Sequence, residues 1–265
     1  MKLRQKITII VFVAFMVAVM LMPTQSITKV DLAHALENPT AEHWFGTDNL
    51  GRDVFSLMVM GCARTLTVVF IATGISLLVG SIIGLLGGFF GGIVETIVQF
   101  IGDFSLVIPS FIAALIFTAI FGFNPVGLGV IFGIMGIGEY VIQVMILTKQ
   151  LKVQEYIVGE YIIGVKSLSI IFKSIFPNLL NPLLTFLGNR ASMVILGYAG
   201  LAYIGLGADV TNPDWGSMIY QYRMYIIDHP LLVIWPTAGI FVLSLFFHLM
   251  FDNTSGLKRG KANGK

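Results

Sequence analysis

Long apolar stretches alternate with polar ones along this chain, and a helix needs ~20 mostly apolar residues to cross the hydrocarbon core of a bilayer. Six stretches qualify, at about residues 7–22, 66–90, 97–121, 129–148, 183–204 and 231–251. They predict an all-α integral membrane protein with six transmembrane helices. The first follows Lys2, Arg4 and Lys6. A cleavable signal peptide begins that way too, but no small-x-small site follows Met22, so 1–22 is read as a retained anchor helix. The polar intervals define the rest: an outer loop at 23–65, a transmembrane domain at 66–252 with an inner loop at 149–182, and a tail at 253–265. Both loops are longer than simple turns, and function is the usual reason for such length.

Lys and Arg in short loops set the orientation. Lys2, Arg4 and Lys6 lie on one side, and six crossings return Lys258, Arg259, Lys261 and Lys265 to it, with Lys149, Lys152, Lys166 and Lys173 of the inner loop. Both termini are therefore expected in the cytoplasm.

Composition agrees. Hydrophobic residues make up 56% of the 265 and charged ones 11%, against about 25% charged in soluble domains, and the mean hydropathy is +0.89. The net charge of +2 comes without a basic block, which argues against nucleic-acid binding. Cys62 stands alone, so neither an intrachain disulfide nor a four-cysteine zinc site can form. His34, His43, His229 and His248 lack the i, i+4 spacing of helical zinc sites. No metal site and no cofactor is expected.

Several motifs carry more. Gly80, Gly84, Gly88 and Gly92 recur every four residues, a groove for a second helix backbone. The stretch from Gly159 to Ser167 nearly spells a phosphate-binding loop, but there Lys must directly follow the second Gly. Here Val165 separates Gly164 from Lys166, and no strand precedes the loop. Nucleotide binding is rejected, so any ATP that drives this protein is hydrolysed by another chain. Tyr156, Ile157, Ile162 and Ile163, interleaved with Glu155, Gly159, Glu160 and Lys166, read as a short amphipathic helix on the membrane surface. Phe176-Pro177 is expected to end a second short apolar run.

Charges within spans are functional candidates by default. Glu139 either faces a translocation path, as a negative site for a cationic substrate, or is a protonated carboxyl bonded to a neighbouring helix. Arg190 and Asp103 are expected to pair with each other or to snorkel to the interface.

Two segments resemble a known family. His43-Trp44-Phe45-Gly46-Thr47-Asp48-Asn49-Leu50-Gly51-Arg52-Asp53 resembles the GTDxxGRD signature of the second, C-type permease of nickel, dipeptide and oligopeptide ABC importers. Residues 87–92, 103–109, Ile204-Gly205-Leu206-Gly207, Pro213-Asp214-Trp215-Gly216-Ser217-Met218 and Trp235-Pro236 continue the likeness in order. The inner loop resembles the family's coupling segment through Gly164 and Phe176-Pro177, with Val158-Gly159-Glu160 departing from its EAA triplet. The resemblance implies a type I ABC importer permease fold in a bacterial inner membrane. It implies a second, different permease, two cytoplasmic ATPase subunits and an extracytoplasmic binding protein as partners. It assigns ATPase coupling to Glu155, Gly159, Glu160, Gly164, Phe176 and Pro177. Gly46, Thr47, Asp48, Gly51, Arg52 and Asp53 would shape the outer loop, with charge-assisted bonds fixing it. Short length and Glu139 incline the substrate toward nickel or a metal chelate, with small peptides as the alternative. A self-sufficient secondary transporter or channel would show inverted repeats or a carbonyl-lined filter, and an intramembrane enzyme a HExxH motif or a nucleophile placed with its base; none of these is legible.

Overall fold

The computed structural model describes residues 24–207 and 211–252. The expected anchor at 7–22 and the tail lie outside the described residues.

Helix α1 runs over Val54–Phe90, starting well before the predicted span. Asp53 explains the early start: its side chain accepts from Ser56 N and caps the first turn. The helix stops at Gly91, whose φ of +71° breaks the α conformation.

The span expected at 97–121 is two helices, α2 (Gly92–Val107) and α3 (Ser110–Phe121), bent by 67°. Pro109 lacks an N–H, and the residue before it, Ile108, is extended. Asn124 then caps α4 (Pro125–Lys152), with Pro at the start where a missing N–H costs nothing. A short α5 (Glu155–Ile162) follows.

The next helical run, α6 (Ser167–Tyr203), corrects an expectation. Phe176-Pro177 does not end it. Residues Ile170–Ile175 form a π-helical segment, and Pro177 sits in the first turn of the α-helix that follows. The wider π turns accommodate the proline ring and its missing donor. Asp214 and Ser217 form a capping box for α7 (Trp215–Tyr222), and α8 (Leu231–Asp252) ends the described chain.

Among the described residues α1, α4, α6 and α8 are each long and apolar enough to cross a membrane, and α2 with α3 makes a bent fifth candidate. Glycine contacts give their directions. A Cβ on Gly80 would meet Ile137 O at 2.8 Å, on Gly84 Val141 O at 2.5 Å and on Gly88 Met145 O at 2.6 Å. The two series rise together, so α1 and α4 are parallel and the chain must return between them through α2 and α3. Helices α6 and α8 then alternate: Tyr140 packs on Phe186, and His248 lies beside Asn189. The GTDxxGRD loop therefore sits at one end of the bundle and α5 at the other.

The seam is reciprocal, with Gly129 and Gly133 of α4 facing Ile71 and Ile75 of α1 at 2.9 Å to a built Cβ. Lipid tails are as apolar as leucine, so close packing rather than burial from water holds such helices together. Gly92 does not share in it. It begins α2 at φ +57° with nothing within 4 Å, because α1 has already turned at Gly91. One core cluster lies at the signature-loop end, around Leu57, Val68, Leu128, Ile195 and Met218. A second lies at the α5 end, joining Leu85 and Phe89 to Tyr140, Ile157, Ile170 and Ile175.

Candidate functional site

Three places hold the residues singled out in the sequence. In the signature loop, Gly46 and Gly51 stand at φ +79° and +72°, a region that favours glycine. A Cβ on Gly51 would collide with the Asp31 carbonyl. Thr47 Oγ1 donates to His34 O at 2.6 Å and accepts from Glu37 N, tying the loop to the segment before it. Asp48 is the hub. Its Oδ1 accepts from Leu50 N and Arg52 N, and its Oδ2 accepts from Arg52 Nε at 2.8 Å and Nη2 at 2.6 Å. Tyr222 of α7 adds a hydroxyl donor to Oδ2 at 3.1 Å. Burial, then the Asp48 charge, holds the Tyr222 phenol well above its ordinary range, so it stays a donor. Asp53 caps α1 and lies 3.2 Å from His43 Nδ1. Phe45 stacks on Trp235 of α8 at 4.1 Å. The signature is thus a bolt between the segment before α1, α7 and α8.

Arg190 provides the second place. Its Nη1 donates to Glu139 Oε1 at 2.7 Å and its Nη2 to Phe132 O at 2.9 Å. Gly136 makes room, since a Cβ there would lie 2.7 Å from the guanidinium. Asp103 is exposed on α2 and does not meet Arg190. Glu139 is therefore a paired carboxylate bracing α4 to α6. It is 32% exposed while Arg190 is 4% exposed, so the brace has an open side. Glu139→Gln strands a buried guanidinium. A fully buried broken pair costs about 3–5 kcal/mol, and the open side should reduce that to about 1–3 kcal/mol. Thermal unfolding of the purified chain should show the loss, and adding Arg190→Met should recover part of it.

The third place is α5 with the start of α6. Ile157 is fully buried against the C-terminal parts of α1 and α4. Glu160 accepts from Ser174 Oγ at 2.7 and 2.9 Å, tying α5 to the π segment, and Asn178 Nδ2 donates to Tyr156 OH. Lys149 pairs with Glu95 at 2.6 Å, and Lys152 donates to Phe89 O, the C-terminal end of α1. Glu155 is exposed, and Gly159 and Gly164 have open space around them. Gly164, at φ +77°, turns the chain out of α5. Phe176 and Pro177 lie exposed just past the π segment.

One cluster escaped sequence reasoning. Arg64, Tyr198 and Asp214 meet at one buried place, close enough to act on one another through charge and through side-chain hydrogen bonds to the Tyr198 hydroxyl. Burial is the main cause that pushes the Asp214 carboxyl up to about 6. Three residues this far apart in sequence carry no local signal of meeting. Tyr222, the partner of Asp48, was invisible for the same reason.

Loop, brace and α5 are held by a bundle of helices long and apolar enough to cross a membrane. Residues 76–255 match the family described as binding-protein-dependent transport system inner membrane component, and the chain belongs to it: it is an ABC importer permease subunit, a transporter component rather than an enzyme. Such a subunit works with ATPase and substrate-binding partners. It is 31% identical over 241 residues to the dipeptide transport system permease protein of Alkalihalophilus pseudofirmus, covering 91% of this chain and 79% of that protein. It is 30% identical over 232 residues to the glutathione transport system permease protein of Pectobacterium atrosepticum, covering 88% and 77%. The Escherichia coli glutathione permease is 29% identical over 214 residues, with 81% and 71% covered.

Proposed function

We propose that this permease contributes half of a translocation path for small peptide-like solutes and that α5 is the handle gripped by a separate ATPase. Six crossings, counting the segment at 7–22, would place both termini and the α5 end in the cytoplasm. Lys149, Lys152, Lys166 and Lys173 at that end support this orientation. A second, different permease would close the path, two ATPase subunits would bind below, and a substrate-binding protein would dock on the GTDxxGRD face.

The anchoring of α5 carries this reading. Ile157, Ile170 and Ile175 are fully buried in the bundle, while Tyr156, Val158, Ile162 and Ile163 remain exposed on the same segment. A push on the exposed side would reach the inner ends of α1 and α4 directly. A helix that only floated on headgroups would have its apolar side in lipid rather than in the core. The partners would supply the bias between inward and outward states, and the packed bundle the bistable element.

The names of the relatives support a peptide-like solute. Glu139 favoured a metal cation only as a free carboxylate, and Arg190 takes up its charge.

Gly164→Leu tests the handle. With open space around it, the new side chain meets strain of about 1–2 kcal/mol from the left-handed backbone rather than a collision. The variant should still accumulate in the membrane. ATP-driven uptake should fall by about tenfold or more, which a coupling loss of about 1.4 kcal/mol would produce, and less ATPase should co-purify. Unchanged uptake with unchanged ATPase retention would refute the assignment.

A further inference from the structure

Between the C-terminal ends of α1 and α4, the start of α2 and helix α5 lies a pocket of about 420 Å³, lined by Gly88, Gly91, Glu95, Lys149, Lys152 and Tyr161, among others. Ligand sites commonly measure about 300–1,000 Å³. Two lysines and one carboxylate leave this one with a single net positive charge. Lys149 is half exposed and pairs with Glu95, and Lys152 donates to Phe89 O. An ammonium carries three N–H donors, so each lysine keeps donors for an anion. Gly91 holds the space open: beyond its chain neighbours, a Cβ there would approach nothing nearer than Glu95 Oε2 at 3.9 Å.

The pocket sits where α1 and α4, both long and apolar enough to cross the membrane, come to their ends. That is the depth of lipid headgroups, and basic pockets between spanning helices at this level suit anionic ones. The neighbouring surface says which anion. Gly91 and Glu95 carry the pocket onto the start of α2, from which Ile93, Ile97, Phe100 and Phe104 stand exposed, spaced to share one side of the helix. Their stripe is roughly 16 Å long at 1.5 Å per residue, about half of a ~30 Å hydrocarbon core and so the depth of one leaflet. A soluble anion would use the lysines and leave the stripe unused. A protein arriving from the aqueous side would reach the lysines but not the length of α2 beneath them. A phospholipid fills both, with its head and its chains.

We propose that this pocket holds the phosphate of an anionic phospholipid whose acyl chains lie along α2. The single negative charge of a phosphodiester matches the net charge of the pocket, and one headgroup would join α1, α2, α4 and α5 at a single point. The inference goes beyond the translocation and coupling readings and stands without either.

The test is native mass spectrometry of the complete transport complex released from nanodiscs of phosphatidylcholine and phosphatidylglycerol. Phosphatidylglycerol should be retained at this chain over phosphatidylcholine by about tenfold, the order expected of two lysines at a membrane surface. Lys149→Gln with Lys152→Gln should abolish that excess, and Arg at both positions should restore it. Glu95→Gln frees Lys149 from its partner and should tighten phosphatidylglycerol several-fold, whereas a pair that serves folding alone gives no tightening. Equal retention of phosphatidylglycerol by the unsubstituted chain and the double Gln variant overturns the site. Where the double variant fails to accumulate, Glu95→Gln decides: unchanged or weaker binding overturns it equally. Inorganic phosphate at millimolar concentration should displace none of the lipid; displacement would assign the pocket to a soluble anion and overturn the lipid.

Discussion

Asp48→Ala is expected to release the signature loop from the bundle. The carboxylate is 0% exposed and its Arg52 partner 2% exposed. Removing it leaves the guanidinium buried without that counter-charge, and Tyr222 and two backbone N–H groups lose their acceptor. Breaking one side of a buried ion pair costs about 3–5 kcal/mol, a large share of a typical total stability of about 5–15 kcal/mol. Two measurements check it: the unfolding midpoint of the purified protein should drop, and protease should cut between residues 31 and 53, where the native loop resists. Asp48→Asn keeps the shape and one acceptor, and should fall between the two. A wild-type midpoint for Asp48→Ala would show that the bolt contributes nothing.

The second large effect lies in the glycine seam. At Gly84 a new Cβ would meet Val141 O at 2.5 Å, Val144 Cβ at 2.9 Å and Met145 N at 3.1 Å. Two of these are backbone atoms of α4, which cannot move aside as a side-chain tip can. Gly84→Ala should cost about 1–3 kcal/mol, the range for overpacking a filled core, and Gly84→Leu should prevent stable accumulation in the membrane. Gly74 is the control on the same helix. Nothing lies within 4 Å of a Cβ there, so Gly74→Ala should be neutral or stabilise by up to about 1 kcal/mol. Equal accumulation of the Gly84→Leu and Gly74→Ala proteins would show that α1 and α4 do not pack as described.

Glycine spacing shows how far the sequence could be read. The four-residue repeat singled out Gly80, Gly84 and Gly88, whose built Cβ atoms would meet α4, because periodicity reports which residues share one side of a helix. It also took in Gly92, since spacing continues through a helix end without registering it. Gly91 adopts φ +71°, and the seam stops one turn earlier than the pattern. The third span met the same limit: its hydropathy is continuous, but Pro109 bends the backbone. Phe176-Pro177 erred the other way, where a π segment let the helix pass a proline that spacing took as a stop.

At the candidate sites, Asp48 with Arg52 and Asp53 with Ser56 were within reach of local reasoning, being three or four residues apart. Glu139 carried two readings, a charge facing a path or a carboxyl bonded to a neighbouring helix. Its actual partner lies 51 residues away, and Tyr222 lies 174 residues from Asp48.

Hydropathy, charge asymmetry and signature spacing are properties of neighbouring residues, and by themselves they determined the membrane class, the apolar segments and the family. The register of one helix against another is set by side-chain volumes and backbone approach summed over whole interfaces. Only the tertiary structure could therefore decide that Arg190 meets Glu139 instead of Asp103, that α5 is rooted in the core, and that Ser192 of α6 reaches the Ser244 carbonyl of α8.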